Sequence, residues 1–215
     1  AIPYIFSRMV LLVAPSRRAL PAVTVPARLK RLVLSSRRQT AEAQVQKALR
    51  SGDVELILST GFAASVDQRL RGGDLLVATR VFGGADVYLD LPPFQAPGAV
   101  RGSLGSLMTD GSGAPTTRRR LPPVYALDSY GFWLAHAAQV ANIPCLLLRS
   151  ILLEVPPAPK QDALLPELLT GRIAAGILRH PDRWRELSGL LQSVDRCRAQ
   201  LASALAIVLV LYGHA

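Results

Sequence analysis

The hydrophobic positions of this chain form short blocks, and stretches with a helical spacing lie between them. Two early blocks, "MVLLVA" (9–14) and "RLVLS" (31–35), have the length and composition of β-strands. "TAEAQVQKALRSG" (40–52) has a helical spacing, with Thr40 placed to cap its start and Gly52 to end it. Strands that alternate with helices in this way indicate an α/β protein with a layered architecture.

Three later blocks extend the same pattern. "VELILST" (54–60) and "IPCLLLRSILLEV" (143–155) show little alternation of polar and apolar residues, which predicts strands buried on both faces. A Gly-Gly turn leads into another strand within "LRGGDLLVATRV" (70–81). "VYALD" (124–128) predicts a further strand, and its last residue, an Asp, is placed to cap a helix over 129–141.

Proline and glycine mark one long irregular part, and the C-terminal part is helical in pattern. Residues 90–123 are rich in Pro and Gly, which predicts a loop without regular structure. Residues 162–208 have the apolar spacing of helices that pack on a sheet. The apolar run within 201–215 is too short to span a bilayer and predicts a buried helix or strand. We therefore expect one domain over 9–212, preceded by residues 1–8.

Composition and charge narrow the classes of function. The chain has 215 residues, of which 50% are hydrophobic and 19% charged, and this balance excludes a disordered protein. The net charge of +10 comes mostly from Arg, which suits contact with phosphate, nucleic acid or anionic lipid, although a solvated surface is the simpler explanation. Neither zinc-finger spacing nor an aromatic RNA-binding strand occurs, which argues against nucleic-acid binding.

Cysteine and histidine give no sign of a metal or cofactor. Cys145 and Cys197 match no metal-ligand spacing and form no disulfide framework, which fits a reducing cytoplasm. Cys145 lies in an apolar run and is expected to be buried. His136, His180 and His214 have no suitably spaced carboxylates or thiols, so we predict neither a metal site nor a cofactor.

Two long stretches carry a resemblance to a known family. "VELILSTGFAASVDQRLRGGDLLVAT" (54–79) resembles the strand of nucleoside phosphorylases and nucleosidases that ends in Gly-x-Ala-Gly-Gly. "ALDSYGFWLAHAAQVANIPCLLLRSIL" (126–152) resembles their Asp-Met-Glu-Ser helix and the strand ending in Arg-x-x-Ser-Asp that follows it. Residues 171–205 are most similar to the hopanoid-associated phosphorylase branch. The resemblance implies a three-layer α/β fold with a twisted mixed β-sheet flanked by helices, assembled as a homodimer or higher oligomer.

The family's chemistry depends on acids that this chain replaces. Cleavage of the bond between ribose and purine uses an acid that protonates the leaving base, a carboxylate beneath the ribose, and a further acid near the N-terminus. The resemblance places Leu153, Tyr130 and Arg18 at these three positions, and Ser129 at the Met before the ribose carboxylate. Leucine cannot donate a proton, and Glu154 is expected to face away because adjacent strand residues point to opposite faces. No catalytic residue is assigned.

Other candidate residues come from the same resemblance, each with a simpler alternative. Phe62 and Ala63 lie where the family contacts the nucleoside, but Phe62 is equally suited to core packing. Arg149 matches the Arg of the Arg-x-x-Ser-Asp strand and suits structural hydrogen bonds as well as a ligand. Arg37 and Arg38 lie where a strand meets a helix, a place that favours phosphate or another anion, although a solvated pair is the alternative.

Two hypotheses follow. In the first, the protein acts on or binds a purine nucleoside, with an adenosyl-hopanoid or another nucleoside-bearing lipid as a candidate, and N-glycosidic cleavage is impaired or lost. Tyr130 then either contacts the ligand or fills the former ribose hollow as core. In the second, the protein is a non-catalytic ligand-binding or assembly protein whose basic surface contacts anionic lipid or nucleic acid. Both place it in the cytoplasm, with contact to the inner membrane as an option.

Overall fold

A computed structural model describes residues 9–21, 23, 28–35, 38–50, 52–83, 87–106, 124–154 and 184–213. The elements in the described part are β1 Met9–Ala14, β2 Leu29–Val33, α1 Arg38–Leu49, β3 Val54–Ser65, β4 Leu75–Phe82, β5 Tyr88–Asp90, β6 Ala99–Ser106, β7 Ala126–Asp128, α2 Gly131–Val140, β8 Cys145–Glu154 and α3 Trp184–Gly213.

The strands form one mixed eight-stranded sheet. Its main order is β2-β1-β3-β7-β6-β4-β5, and β8 pairs with both β3 and β4. β1 runs parallel to β2 and β3, β8 runs parallel to β3, and β4 runs antiparallel to β8. Because β8 joins β3 to β4, the five strands β3, β7, β6, β4 and β8 close into a ring. The predicted mixed sheet is confirmed.

Helices cover the sheet from two sides. Alternate residues of the central strands belong to two apolar clusters, as the period of two along a strand requires. Leu58 and Leu148 pack in the cluster that contains Leu201 of α3. Ile57 packs in the other cluster, which contains Leu134 of α2 together with residues of α1. The strands β3 and β8 are therefore buried on both faces, as their unbroken apolar sequence predicts. The fold has three layers, with the sheet between α3 on one side and α1 and α2 on the other.

Element boundaries differ from prediction by small amounts. The bounds of β1 agree with the predicted strand, whereas β2 begins at Leu29, two residues before the predicted start. α1 spans Arg38–Leu49 rather than 40–52. β3 continues to Ser65, past the predicted end, because its last residues pair with both β7 and β8.

The prediction of irregular structure over 90–123 was wrong for 99–106, which form β6. Its glycines are sites of close packing rather than of a loop. A Cβ at Gly102 would overlap the ring of Tyr125, and one at Gly105 would lie 2.9 Å from Cδ2 of Leu127. Residues 91–98 have no regular secondary structure, as predicted, and 107–123 lie outside the described residues.

The fit at Gly102 gives a stability prediction. Gly102→Ala should lower the free energy of unfolding by about 1–3 kcal/mol, since the new methyl group forces the Tyr125 ring or the strand to move. Urea denaturation measures this change. Gly72→Ala is the matched control, because a Cβ at Gly72 meets no atom within 4 Å. Equal stability of the two variants would show that the ring does not occupy this position.

The C-terminal part of the chain contains one long helix. α3 has 30 residues, and residues 162–183 of the predicted helical region lie outside the described part. Val208 and Leu209 are buried, whereas Ile207, Val210 and Leu211 are exposed, so the last apolar run forms a helix that is buried on one face only. No helix among the described residues combines the length and apolar character needed to cross a membrane. Cys145 and Cys197 are buried free thiols, and burial raises the pKa of Cys145 to about 12.

Candidate functional site

The candidate residues gather where β3 ends between two other strands. Ala64 of β3 pairs with Leu127 of β7 on one side and with Leu153 of β8 on the other. Because β7 is antiparallel to β3, the chain that leaves β7 at Ser129 runs back toward Phe62. The sheet therefore brings the predicted positions in β3, at the start of α2 and at the end of β8 into one region.

A buried ion pair crosses β3 in this region. Arg149 pairs in register with Gly61 of β3, and a Cβ at Gly61 would lie 3.5 Å from the Arg149 side chain, which passes over it. Nε of Arg149 donates to Oδ2 of Asp128 at 2.8 Å, with both side chains at most 3% exposed. Nη1 donates to the backbone oxygen of Ser59 at 2.9 Å. The contacts of Arg149 in the described part are thus with the protein itself.

The same carboxylate organises the first turn of α2. Oδ1 of Asp128 accepts the Gly131 N–H at 3.0 Å, which is the capping role predicted for this residue. It also accepts the Ser106 hydroxyl at 2.6 Å, and Oγ of Ser106 accepts the Phe132 N–H at 2.7 Å. A Cβ at Gly131 would lie 2.7 Å from Oδ2 of Asp128, so glycine allows the carboxylate to approach. The start of α2 is consequently fixed from both β7 and β6.

Ser129 and Tyr130 lie between this carboxylate and the helix. Tyr130 occupies the N-cap position of α2 without a side-chain capping bond. Its half-buried ring packs against the cluster beneath α1 and α2 and meets Trp133 edge-on, with centroids 5.7 Å apart. Oγ of Ser129 is buried and has no hydrogen-bond partner among the described residues.

Phe62, Ala63 and Leu153 contribute apolar surface. Phe62 is 1% exposed and belongs to the cluster beneath α3, whereas Ala63 is buried in the cluster on the opposite side. Leu153 is half-buried and packs against the small cluster around Ala64 and Leu127. Phe62 thus contributes core packing, the alternative that its sequence position left open.

The carboxylates next to this region are already engaged. Glu154 is exposed and accepts hydrogen bonds from Nη1 of Arg71 at 2.8 Å and from the Gly72 N–H at 3.1 Å. The hydrogen bond from Arg71 holds the pKa of Glu154 below its usual value. The prediction that Glu154 faces away is confirmed. Asp128 serves Arg149 and α2, as described above, and is 2% exposed.

Of the three basic candidate positions, Arg18 has a described side chain. Arg18 is exposed in the turn after β1. Arg37 lies outside the described residues, and Arg38 begins α1 with its side chain outside the described part. Among the described residues, no group of three or more His, Cys, Asp or Glu side chains could hold a metal ion.

Sequence reasoning missed two members of the site, Ser106 and the anionic partner of Arg149. Ser106 is the last residue of β6, and this strand was not predicted because its glycines indicated a loop. A signal for the second was present: an Arg within the apolar strand β8 needs an anion when it is buried. Asp128 is separated from it by 21 residues, and only the pairing of both strands with β3 brings the two together.

Solved structures with the same architecture match nearly the whole length of the chain. The 5′-methylthioadenosine/S-adenosylhomocysteine nucleosidase of Colwellia psychrerythraea, in complex with adenine, is 14% identical, with a TM-score of 0.61 and 99% of each chain covered. The corresponding enzyme of Chlamydia trachomatis bound to adenine is 16% identical, with a TM-score of 0.59 and coverage of 95% of this chain and 98% of that chain. The present chain has the nucleosidase fold.

A further solved structure supports the same fold, and the comparisons with family models and curated sequences give no match. The 5′-methylthioadenosine/S-adenosylhomocysteine nucleosidase of Helicobacter pylori with butyl-thio-DADMe-Immucillin-A is 14% identical, with a TM-score of 0.56 and coverage of 94% of this chain and 99% of that chain. No protein-family model and no curated protein sequence matches the chain. The predicted three-layer α/β class is confirmed by the nucleosidase fold, while the hopanoid-associated branch remains a prediction.

Proposed function

We propose that this protein binds a purine nucleoside where β3, β7 and β8 end, and that its cleavage of the N-glycosidic bond is impaired or lost. One observation carries the proposal. The three positions that the family resemblance assigns to acids hold Arg18, Tyr130 and Leu153, and the two neighbouring carboxylates are engaged in hydrogen bonds within the protein.

Binding is supported by the fold and by one polar group. Structures with this fold hold adenine or 5′-methylthioadenosine. The Ser129 hydroxyl is buried without a partner in the described part of the chain, and a ligand that supplied this hydrogen bond would offset the cost of burying the hydroxyl. Tyr130, the next residue, contributes a half-buried aromatic ring. Phe62 and Ala63, which the resemblance assigns to nucleoside contact, are buried in the two core clusters and support the region by packing. Arg149 supports it by fixing Asp128 and the start of α2.

Impaired cleavage is supported by the energetics of acid catalysis. One positioned general acid contributes about 10²–10⁴ in rate, which is roughly 3–5 kcal/mol of activation free energy. Leu153 cannot protonate a leaving purine, and Tyr130 cannot present a carboxylate to ribose hydroxyls. The rate losses from the separate missing acids need not multiply, because the effects of catalytic groups that act together are not additive. Residual activity is therefore weak at most.

Finer assignments belong to the same proposal. The similarity of residues 171–205 to the hopanoid-associated branch supports a nucleoside-bearing lipid, and the Arg-rich composition supports contact with an anionic membrane surface. Arg38 is the first residue of α1 and Arg37 precedes it in the sequence, and the start of a helix is a place suited to phosphate or another anion. The family resemblance supports a homo-oligomer, and buried free thiols fit a reducing cytoplasm.

The test measures binding and cleavage separately. Adenosine, 5′-methylthioadenosine and an adenosyl-hopanoid are titrated by calorimetry and incubated with and without phosphate, and free purine is followed by chromatography. We expect saturable binding with little or no purine release. Rapid release would overturn the impaired-cleavage part, and absence of binding to all three would overturn the proposal itself.

Ser129→Ala sharpens this test. Nucleoside affinity should fall about 2–10-fold, the usual range for one hydrogen bond, without any loss of thermal stability, because the hydroxyl has no partner to lose among the described residues. Ser193→Ala is the matched control, since that exposed hydroxyl donates to the Gly189 carbonyl on α3. Unchanged affinity in Ser129→Ala would remove this residue from the site.

A further inference from the structure

Ser129 and Tyr130 form a two-residue segment that is held at both of its ends. The 129–130 segment lies between Asp128, the last residue of β7, and Gly131, the first residue of α2. Oδ1 of Asp128 accepts the Gly131 N–H at 3.0 Å, so the carboxylate links the two ends. Because both residues of the segment belong to the proposed nucleoside site, the groups that fix its ends also set the place of the ligand contacts.

One hydroxyl on a neighbouring strand makes a second link between these ends. Ser106, the last residue of β6, pairs in register with Asp128. Its hydroxyl donates to Oδ1 of Asp128 at 2.6 Å, before the 129–130 segment, and its oxygen accepts the Phe132 N–H at 2.7 Å, after the segment. A serine hydroxyl has one proton to donate and lone pairs to accept with, so both bonds form at once. The bond to the carboxylate is charge-assisted and therefore strong.

The bond from Phe132 replaces one that α2 cannot supply. Phe132 is the second residue of α2, and the N–H groups of a first turn have no acceptor within their own helix. Tyr130 at the N-cap position makes no capping bond with its side chain, so the acceptor comes from β6 instead. The Phe132 ring is also held, since a Cβ at Gly83, which follows β4, would overlap it. The first turn of α2 therefore depends on its neighbouring strands for its position.

We propose that Ser106 is a positioning residue of the nucleoside site, an inference that rests on the proposed function. Ser106 acts through Asp128 and Phe132, whose hydrogen bonds fix the backbone on either side of the 129–130 segment. In this way it aims the buried Ser129 hydroxyl, which has no partner in the described part of the chain, at the ligand. Without the Ser106 hydroxyl the segment is less ordered, and a ligand has to order it on binding, which lowers affinity.

Substitutions at Ser106 test this role through affinity. Ser106→Ala removes both hydrogen bonds, and its affinity for 5′-methylthioadenosine, measured by calorimetry, should be about 10-fold lower than that of the unmodified protein. Ser106→Thr keeps the hydroxyl and should restore the affinity to within about 2-fold. Thr79→Val is the matched control, because it removes a half-buried hydroxyl that donates to the Gly102 carbonyl of the same strand at 3.3 Å. Unchanged affinity in Ser106→Ala, or an equal loss in Thr79→Val, overturns the inference.

A double-mutant cycle with Ser129→Ala separates positioning from a general loss of stability. If Ser106 acts through the Ser129 hydroxyl, then Ser106→Ala should lower affinity by less than about 3-fold when that hydroxyl is already absent. A merely structural role predicts the same loss, about 10-fold, with and without the Ser129 hydroxyl. Additive losses in the double variant therefore refute the positioning role.

Amide hydrogen exchange tests the role of Ser106 without a ligand. The Phe132 N–H should exchange at least about 10-fold faster in Ser106→Ala than in the unmodified protein, because it has lost its acceptor, and Ser106→Thr should restore the slow rate. The result is independent of the proposed function. Absence of nucleoside binding to the unmodified protein overturns that function, whereas unchanged exchange of Phe132 in Ser106→Ala overturns the role of Ser106.

Discussion

Purine release should rise by at least about 10²-fold when Leu153→Asp and Tyr130→Glu are introduced together. Leu153 is half-buried at the end of β8, and Tyr130 stands at the start of α2, on opposite sides of the end of β3. The first substitution supplies a proton donor for the leaving base, and the second supplies a carboxylate for the ribose. Release of adenine from 5′-methylthioadenosine, measured at saturating substrate, gives the ratio.

The amide pair Leu153→Asn and Tyr130→Gln is the matched control. It reproduces the size and polarity of the restored side chains without an acid or a charge, so its rate should stay at the level of the unmodified protein. Equal gains in the acid and amide pairs would attribute the effect to polarity or pocket volume. A folded acid pair that binds nucleoside without releasing purine would show that the positions differ from those inferred from the resemblance.

Local sequence patterns were sufficient for the elements that carry the sheet. The unbroken apolar runs of β3 and β8 predict burial on both faces, and the structure places them between α3 on one side and α1 and α2 on the other. The capping role of Asp128 was also predictable, because an acid before a helix has a short-range partner in the next turn. Such features depend on residues close together in the chain.

Features that depend on distant contacts were not predictable from those patterns. From the sequence, the glycines of β6 indicate a loop. In the structure they lie in a strand, where Tyr125 and Leu127 pack too closely against them for a larger residue. The salt bridge of Arg149 with Asp128 requires both strands to flank β3, and Ser106 joins it only because β6 lies beside β7. Glu154 was predictable as outward-facing from strand alternation, whereas its bonds to Arg71 and Gly72 were not.

The buried ion pair gives the largest expected effect on stability. Arg149→Met should lower the free energy of unfolding by about 3–5 kcal/mol, because it leaves the Asp128 carboxylate buried without its positive partner. For a chain of this size each kcal/mol corresponds to roughly 2–4 °C, so the thermal midpoint should fall by about 10 °C. Differential scanning calorimetry measures the change directly.

Two further variants show whether the loss comes from the unpaired charge. In Arg149→Met combined with Asp128→Asn, the amide oxygen can still accept the Gly131 N–H while the buried charge is gone, so part of the stability should return. Arg80→Met breaks the exposed pair with Asp90 and should leave the midpoint nearly unchanged, since solvent already screens both groups. If Arg80→Met and Arg149→Met shift the midpoint equally, the buried pair does not anchor α2. Because that anchor positions Ser129 and Tyr130, the double variant should also recover part of any nucleoside affinity that Arg149→Met loses.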